Sequence, residues 1–325
     1  MSVFSLRPIW ERIELSWSNT GAAPDYIDFV RLALSSDRQA IEAPGRGASS
    51  WGLLPGLCCQ AAGGDPRWAD DIAAAWFMFY LAADLMDSVE DQDEPDPWWA
   101  ELGPAMAINV ATGLYFSAAR SLNRIYLHEA IRPFADELVD DFLTSFIRMC
   151  GGQHRDIVTP EPTLEQYWET AECKSGAFFA LACRSGARLA TDDQRILGNF
   201  SRFGHHLGVL IQILDDLEDI QNLSGITLAE KSTGIFRSLP VAYTMDVSPP
   251  AVQIRLKECL SISSRDPQAS QEAFELIEQS GVVLYLVTEI ERHKQLANDY
   301  LERIGPPSSA TEALAEFIRR LGSPE

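Results

Sequence analysis

Apolar residues recur along this chain at the three-to-four-residue spacing of an α-helix, and no run alternates β-branched with polar residues at the two-residue spacing of a strand. The periodic blocks end at clusters of glycine and proline: Ala43-Pro44-Gly45, Gly63-Gly64-Asp65-Pro66, Glu94-Pro95-Asp96-Pro97, Gly151-Gly152, Pro160-Glu161-Pro162, Pro249-Pro250 and Gly305-Pro306-Pro307. Blocks 70–90, 104–129 and 192–222 are long and apolar on more than one face, the pattern of central helices walled in by others. The expected fold is all-α: a large single-domain helical bundle over residues 1–325, since no breaker is long enough to be an interdomain linker.

Composition narrows the partners. A 46% hydrophobic share of 325 residues can fill a large core. The formal net charge of −21 repels nucleic acid and anionic lipid, so neither is an expected partner. A small anionic substrate would need metal ions or a local basic cluster. No segment approaches the ~20 apolar residues that span a bilayer, so the chain is expected to be cytoplasmic, without stable membrane insertion. The six cysteines lack paired CxxC spacing and sit mostly in or beside apolar runs, which predicts reduced core thiols.

Two acidic clusters interrupt the apolar pattern. Asp84, Asp87, Ser88 and Asp91 follow an apolar run at i, i+3, i+4, i+7, which places them on one helical face. Three carboxylates so placed repel one another unless cations neutralise them. The second cluster, Asp215-Asp216-Leu217-Glu218-Asp219, follows the apolar run 207–214, with Asp215 and Asp219 one turn apart. Magnesium takes oxygen ligands, one or two carboxylates per ion, and completes its shell with water and phosphate. Two such helices facing each other across a central cavity would hold several Mg2+ ions bridging a diphosphate.

With these clusters in place, the sequence resembles the trans-prenyl diphosphate synthases of the class I isoprenoid synthase superfamily, over about residues 45–240. The resemblance rests on Gly63-Gly64-Asp65, the first acidic helix, Gly152-Gln153 with Asp156, Thr163 and Tyr167, and Lys174-Ser175-Gly176. It continues through Phe203-Gly204, Gln212, the second acidic box and Arg237-Ser238-Leu239-Pro240. It implies that Asp87 and Asp91 bind magnesium from one helix and Asp215 with Asp219 from the other, and that Lys174, Lys231 and Arg237 touch the diphosphate. Metal and cationic groups would stabilise charge growing on the leaving diphosphate while the allylic carbon becomes a cation. Gln212, one turn before Asp215, either faces the substrate or satisfies a neighbouring helix. Family resemblance also implies a homodimer.

The chain departs from the family pattern in two places. Ser88 replaces the second aspartate of the first box, and Asp84, one turn earlier, either compensates as a metal ligand or pairs with a basic group. The basic residues with which the family binds isopentenyl diphosphate are missing: the upstream positions hold Ala48, Ser49 and Trp51, the histidine position holds Tyr80, and residues 92–103 contain no base. A diphosphate needs several cationic donors for a defined pose. The allylic half remains, with Phe77, Phe79, Tyr80, Phe178 and Phe179 as candidate cavity aromatics able to stabilise a carbocation. Trp51 and Tyr80 suit a cavity that excludes water, and the small Ala82 and Ala83 leave depth for a chain of about fifteen carbons or more.

The leading expectation is therefore a terpene-synthase-like enzyme that ionises one prenyl diphosphate and quenches the cation by cyclisation, proton loss or water. The alternatives are a prenyltransferase using isopentenyl diphosphate or another acceptor, and a silent regulatory subunit. An intact second box and Lys174 speak against the last.

Overall fold

The computed structural model describes residues 5–34, 48–91, 97–223, 233–263 and 265–322, and within these the side chains of residues 48–50, 97, 218–223, 233 and 234 are left aside. The helices of eight or more residues are α1 (Arg7–Trp17), α2 (Pro24–Ala33), α3 (Leu54–Ala61), α4 (Asp70–Asp91), α5 (Pro104–Asn123), α6 (Ala135–Val158) and α7 (Leu164–Ala171). They continue as α8 (Ala177–Arg188), α9 (Gln194–Leu223), α10 (Leu239–Val247), α11 (Pro250–Ile262), α12 (Pro267–Gln279), α13 (Val282–Glu302) and α14 (Ser309–Arg320). No strand occurs among the described residues, so the all-α expectation holds.

Two of the three long apolar blocks become the interior helices α4 and α9, whereas α5 buries a single face and leaves Ile108 and Phe116 exposed. α4 packs on α5 and α1, and α9 packs on α8 and α13. Nearly every residue of α4 from Asp71 to Leu85 is buried, which explains why its hydrophobicity runs round the whole helix. This corrects the expectation about membrane-length segments: Pro66–Asp91 carries an 18-residue window of mean hydropathy 1.4, and 61% of that window is buried inside the bundle. Asp71, at the base of α4, is 1% exposed and is held by Arg124 Nε at 3.0 Å and His128 Nε2 at 2.9 Å. Higher up, Trp76 Nε1 donates to the Phe178 carbonyl at 3.0 Å and ties α4 to α8.

One predicted break is absent. α6 runs straight through Gly151-Gly152 to Val158. Two helical glycines cost about 1 kcal/mol each, which tertiary packing on the segment at Cys173 and Lys174 outweighs. The other proline and glycine clusters within the described residues do separate elements, as at Pro249-Pro250 and Gly305-Pro306-Pro307. Among the cysteines, Cys58, Cys59, Cys183 and Cys259 are buried, all six are free thiols, and Cys150 alone is exposed.

Close approach of α9 to its neighbours fixes the site. A Cβ added at Gly204 would lie 2.3 Å from the Phe179 carbonyl oxygen, and one at Gly208 would lie 2.2 Å from that of Ser175. Both are backbone contacts that cannot rotate away. Gly208→Ala should therefore force α9 off the segment that carries Lys174 and cost about 1–3 kcal/mol. Gly198→Ala, on the same helix with open space around it, should be neutral or stabilising by up to about 1 kcal/mol. Chemical denaturation of both variants checks the opposite signs; equal effects would remove the close-approach argument.

Candidate active site

The C-terminal end of α4 and the middle of α9 form opposite walls of one cleft of about 360 Å³. Asp84, Asp87, Ser88 and Asp91 all line it, so the i, i+3, i+4, i+7 spacing does put them on one face. Asp215 and Asp216 line the other wall, and α6, α7 and the turn Thr233–Arg237 close the sides.

Lys174 comes from a single π-helical turn, Glu172–Gly176, that joins α7 to α8. Such a turn inserts an extra residue into the helix and re-aims its side chains. Lys174 Nζ lies 2.7 Å from Asp87 Oδ1 and 3.7 Å from Asp156 Oδ2. Burial alone would lower the ammonium's pKa, but Asp87 and Asp156 more than offset this and hold it above its ordinary value. Arg237 makes a short charge-assisted hydrogen bond to Asp91, donates to the Asp156 carbonyl at 3.2 Å, and lies 3.8 Å from the Asp156 carboxylate. Gln153 Nε2 donates to Asp87 at 2.7 Å and to Glu90 at 2.8 Å. The two cations thus stand on the carboxylates that a metal ion would use.

The second wall is organised by a chain of hydrogen bonds. Ser175 Oγ donates to Gln212 Oε1 at 2.8 Å, and Gln212 Nε2 donates to Asp216 Oδ1 at 3.1 Å. The other oxygen of Asp216 accepts from the backbone N–H of Leu239 at 2.7 Å. Asp216, 7% exposed, therefore caps the start of α10, while Gln212 satisfies neighbouring elements even though it borders the cleft. The exposed Asp215 faces the opening. Tyr167 is buried beside this network, and burial, then the charge on Asp216, pushes its phenol well up.

The aromatic candidates lie elsewhere. Phe77, Phe79, Phe178 and Phe179 are buried core residues, and Tyr80 stacks on Trp76 at 5.9 Å and Phe178 at 6.2 Å. They make a packed layer one turn below the carboxylates rather than the cleft wall. Trp51 stacks on Phe317 of α14 at 5.4 Å and meets Phe179 edge-on at 5.7 Å. Lys231 and the side chain of Asp219 lie outside the described residues. Arg155 and Glu169 also line the cleft and went unread in the sequence. Helical spacing could have found Arg155, since Gly152, Arg155 and Asp156 fall on one face of α6.

The donor set suits magnesium. The acidic side chains bordering the cleft outnumber the bases, which are Arg155, Lys174 and Arg237. Every candidate donor is an oxygen, and among the described residues no three acidic, histidine or cysteine groups converge on a single point. Ions shared between two walls and completed by water and phosphate fit that arrangement better than an all-protein cage.

A family model for polyprenyl synthetase matches residues 47–277. The geranylgeranyl pyrophosphate synthase penG of Penicillium crustosum is 26% identical over 260 residues, covering 74% of this chain and 71% of that protein. The tryptophan prenyltransferase ComQ of Bacillus subtilis subsp. natto is 27% identical over 145 residues, 45% of this chain and 43% of that one. The crystal structure of geranylgeranyl pyrophosphate synthetase from Pyrococcus horikoshii superposes with a TM-score of 0.76 at 23% identity, covering 98% of both chains.

Burial, then the charge on Asp87, pushes Asp91 up to about 6 against the pull of Arg237. This value lies above the unfolded carboxylate's ~3.9, so the metal-free fold binds the extra proton and loses stability as pH rises from about 4 to about 6. A metal ion bound at Asp91 would have to displace that proton. Stabilisation by Mg2+ in a thermal melt should fall as pH drops below about 6, and Asp91→Asn should abolish both the stabilisation and its pH dependence. An unchanged magnesium shift from pH 7 to pH 5 would contradict this.

Proposed function

The chain belongs to the polyprenyl synthetase family and is a class I isoprenoid synthase, a prenyltransferase; from that premise we propose that it ionises an allylic prenyl diphosphate and delivers the prenyl group to an acceptor other than isopentenyl diphosphate. Asp87 and Asp91 on one wall and Asp215 on the other would hold about three Mg2+ ions, with Asp84 in place of the carboxylate absent at Ser88. The metal would supply Lewis-acid stabilisation of the departing diphosphate. Lys174 and Arg237 stay charged at neutral pH and lie within reach of the same oxygens, so they add fixed positive charge where the leaving group gains negative charge.

The observation that carries the choice of acceptor is Trp51 locked between Phe317 and Phe179. A second diphosphate would need cationic donors on that side, and the matching positions are Ala48, Ser49, Trp51 and Tyr80. Binding a diphosphate against stacked aromatics would strip its hydration without replacing it. That ComQ is named a tryptophan prenyltransferase supports an acceptor without a diphosphate on this scaffold.

A second reading, internal quenching of the cation as in a terpene synthase, is favoured by the layer of Trp76, Tyr80 and Phe178 beneath the carboxylates. Ring faces stabilise a cation, and a dry layer protects it from water.

Incubation with Mg2+ and allylic diphosphates of ten, fifteen and twenty carbons should release diphosphate without isopentenyl diphosphate. Prenyl alcohol would form by slow capture of water, whereas cyclic hydrocarbon would select the second reading. Asp215→Ala should reduce release by at least about a hundredfold. A longer prenyl diphosphate formed only when isopentenyl diphosphate is added would overturn the proposal.

A further inference from the structure

The cleft contains a third base that the pairs of Lys174 and Arg237 do not explain. Arg155 leaves α6 one residue before Asp156 and borders the cleft. Its side chain is 46% exposed, against 22% for Lys174 and 10% for Arg237. Its partners differ in kind as well. Nη1 lies 3.5 Å from Glu169 Oε2 on α7, and Nη2 donates to the Cys173 sulfur at 3.2 Å. Neither partner belongs to the acidic boxes.

An ion pair at that distance between two half-exposed side chains contributes little, typically no more than about 1 kcal/mol. Glu169 therefore positions the guanidinium at the cleft without holding it there. The bond to Cys173, the residue before Lys174, keeps the guanidinium beside the π-helical turn. A guanidinium carries five N–H donors in a planar fork suited to phosphate, so two contacts leave donors available.

We propose that Arg155 is a diphosphate-binding residue: it exchanges Glu169 for the terminal phosphate of the substrate, alongside Lys174 and Arg237. The assignment rests on the reading of the cleft as an allylic diphosphate site. It answers a need the sequence creates. Residues 92–103 supply no base beyond the first acidic box, and a diphosphate needs several cationic donors for a defined pose. Among the described residues, Arg155 is the base bordering the cleft that is not already seated on a metal-wall carboxylate. The exchange needs only side-chain rotation, because Glu169 and Arg155 both sit on formed helices.

The test is calorimetric titration of the whole chain with inorganic pyrophosphate in excess Mg2+ at fixed salt. Arg155→Gln should weaken binding about tenfold, the loss expected of one charge-assisted contact, and Arg155→Lys should recover part of it. Glu169→Gln, which removes the competitor, should tighten binding. Arg148→Gln, two turns earlier on the same helix, removes an equal charge and should change affinity less than about twofold at 0.15 M salt. Circular dichroism and thermal melts check that each variant folds. If Arg155→Gln binds as tightly as the unaltered chain, or if Arg148→Gln loses as much, Arg155 is not a diphosphate contact. If the unaltered chain binds no pyrophosphate while magnesium is present, the diphosphate reading of the cleft falls, and this assignment with it.

Discussion

Asp84, Asp87 and Asp91 crowd three carboxylates onto one face of a helix whose other faces are buried, and the site follows from how that charge is balanced. Lys174 and Arg237, both largely buried, sit on Asp87 and Asp91 and share Asp156 between them. Removing Arg237 would leave the largely buried Asp91 without its cation, which is costly. Each base also arrives from a backbone feature with little purpose unless to deliver it: Lys174 from a π-helical turn, Arg237 from the 3-10 turn just before α10. The chain Ser175, Gln212, Asp216 and the Leu239 amide ties those features to α9. The glycines at 204 and 208 let α9 come close enough to make it.

This balance gives the cleft two sides of unlike character. The polar side collects oxygen donors and bases along the cleft. Away from that lining, Trp51 packs on Phe179 and Phe317, with Tyr80 in the layer beside them. Aromatic packing there provides no cationic donor to a second diphosphate. The proposed chemistry accordingly keeps ionisation of one prenyl diphosphate and needs no second diphosphate site.

How much of this was legible in the sequence depended on range. The first acidic face could be read because helical spacing alone brings Asp84, Asp87 and Asp91 together. The role of Lys174 needed the family resemblance, since nothing local reveals a π-helical turn. Asp216 read as part of an acidic box, and its task as cap for α10 appears only when the chain returns 23 residues later to offer Leu239. Gly151-Gly152 read as a break because local propensity disfavours glycine in helices, and packing against Cys173 and Lys174 overrode it. The partner of Trp51 lies far along the chain at Phe317, a pairing that no periodic pattern encodes. The aromatic candidates were found as residues but misplaced as cavity wall, because composition does not distinguish a lining side chain from one packed a turn below.

The central claim is that Lys174 and Arg237 hold the metal-wall carboxylates until metal and diphosphate arrive. A crystal structure with Mg2+ and diphosphate tests it most directly. The account predicts that Lys174 Nζ leaves its 2.7 Å contact with Asp87 for a phosphate oxygen, while Asp87 and Asp91 turn to the metal. A complex in which diphosphate is bound and Lys174 still sits on Asp87, with no metal on either aspartate, would contradict it.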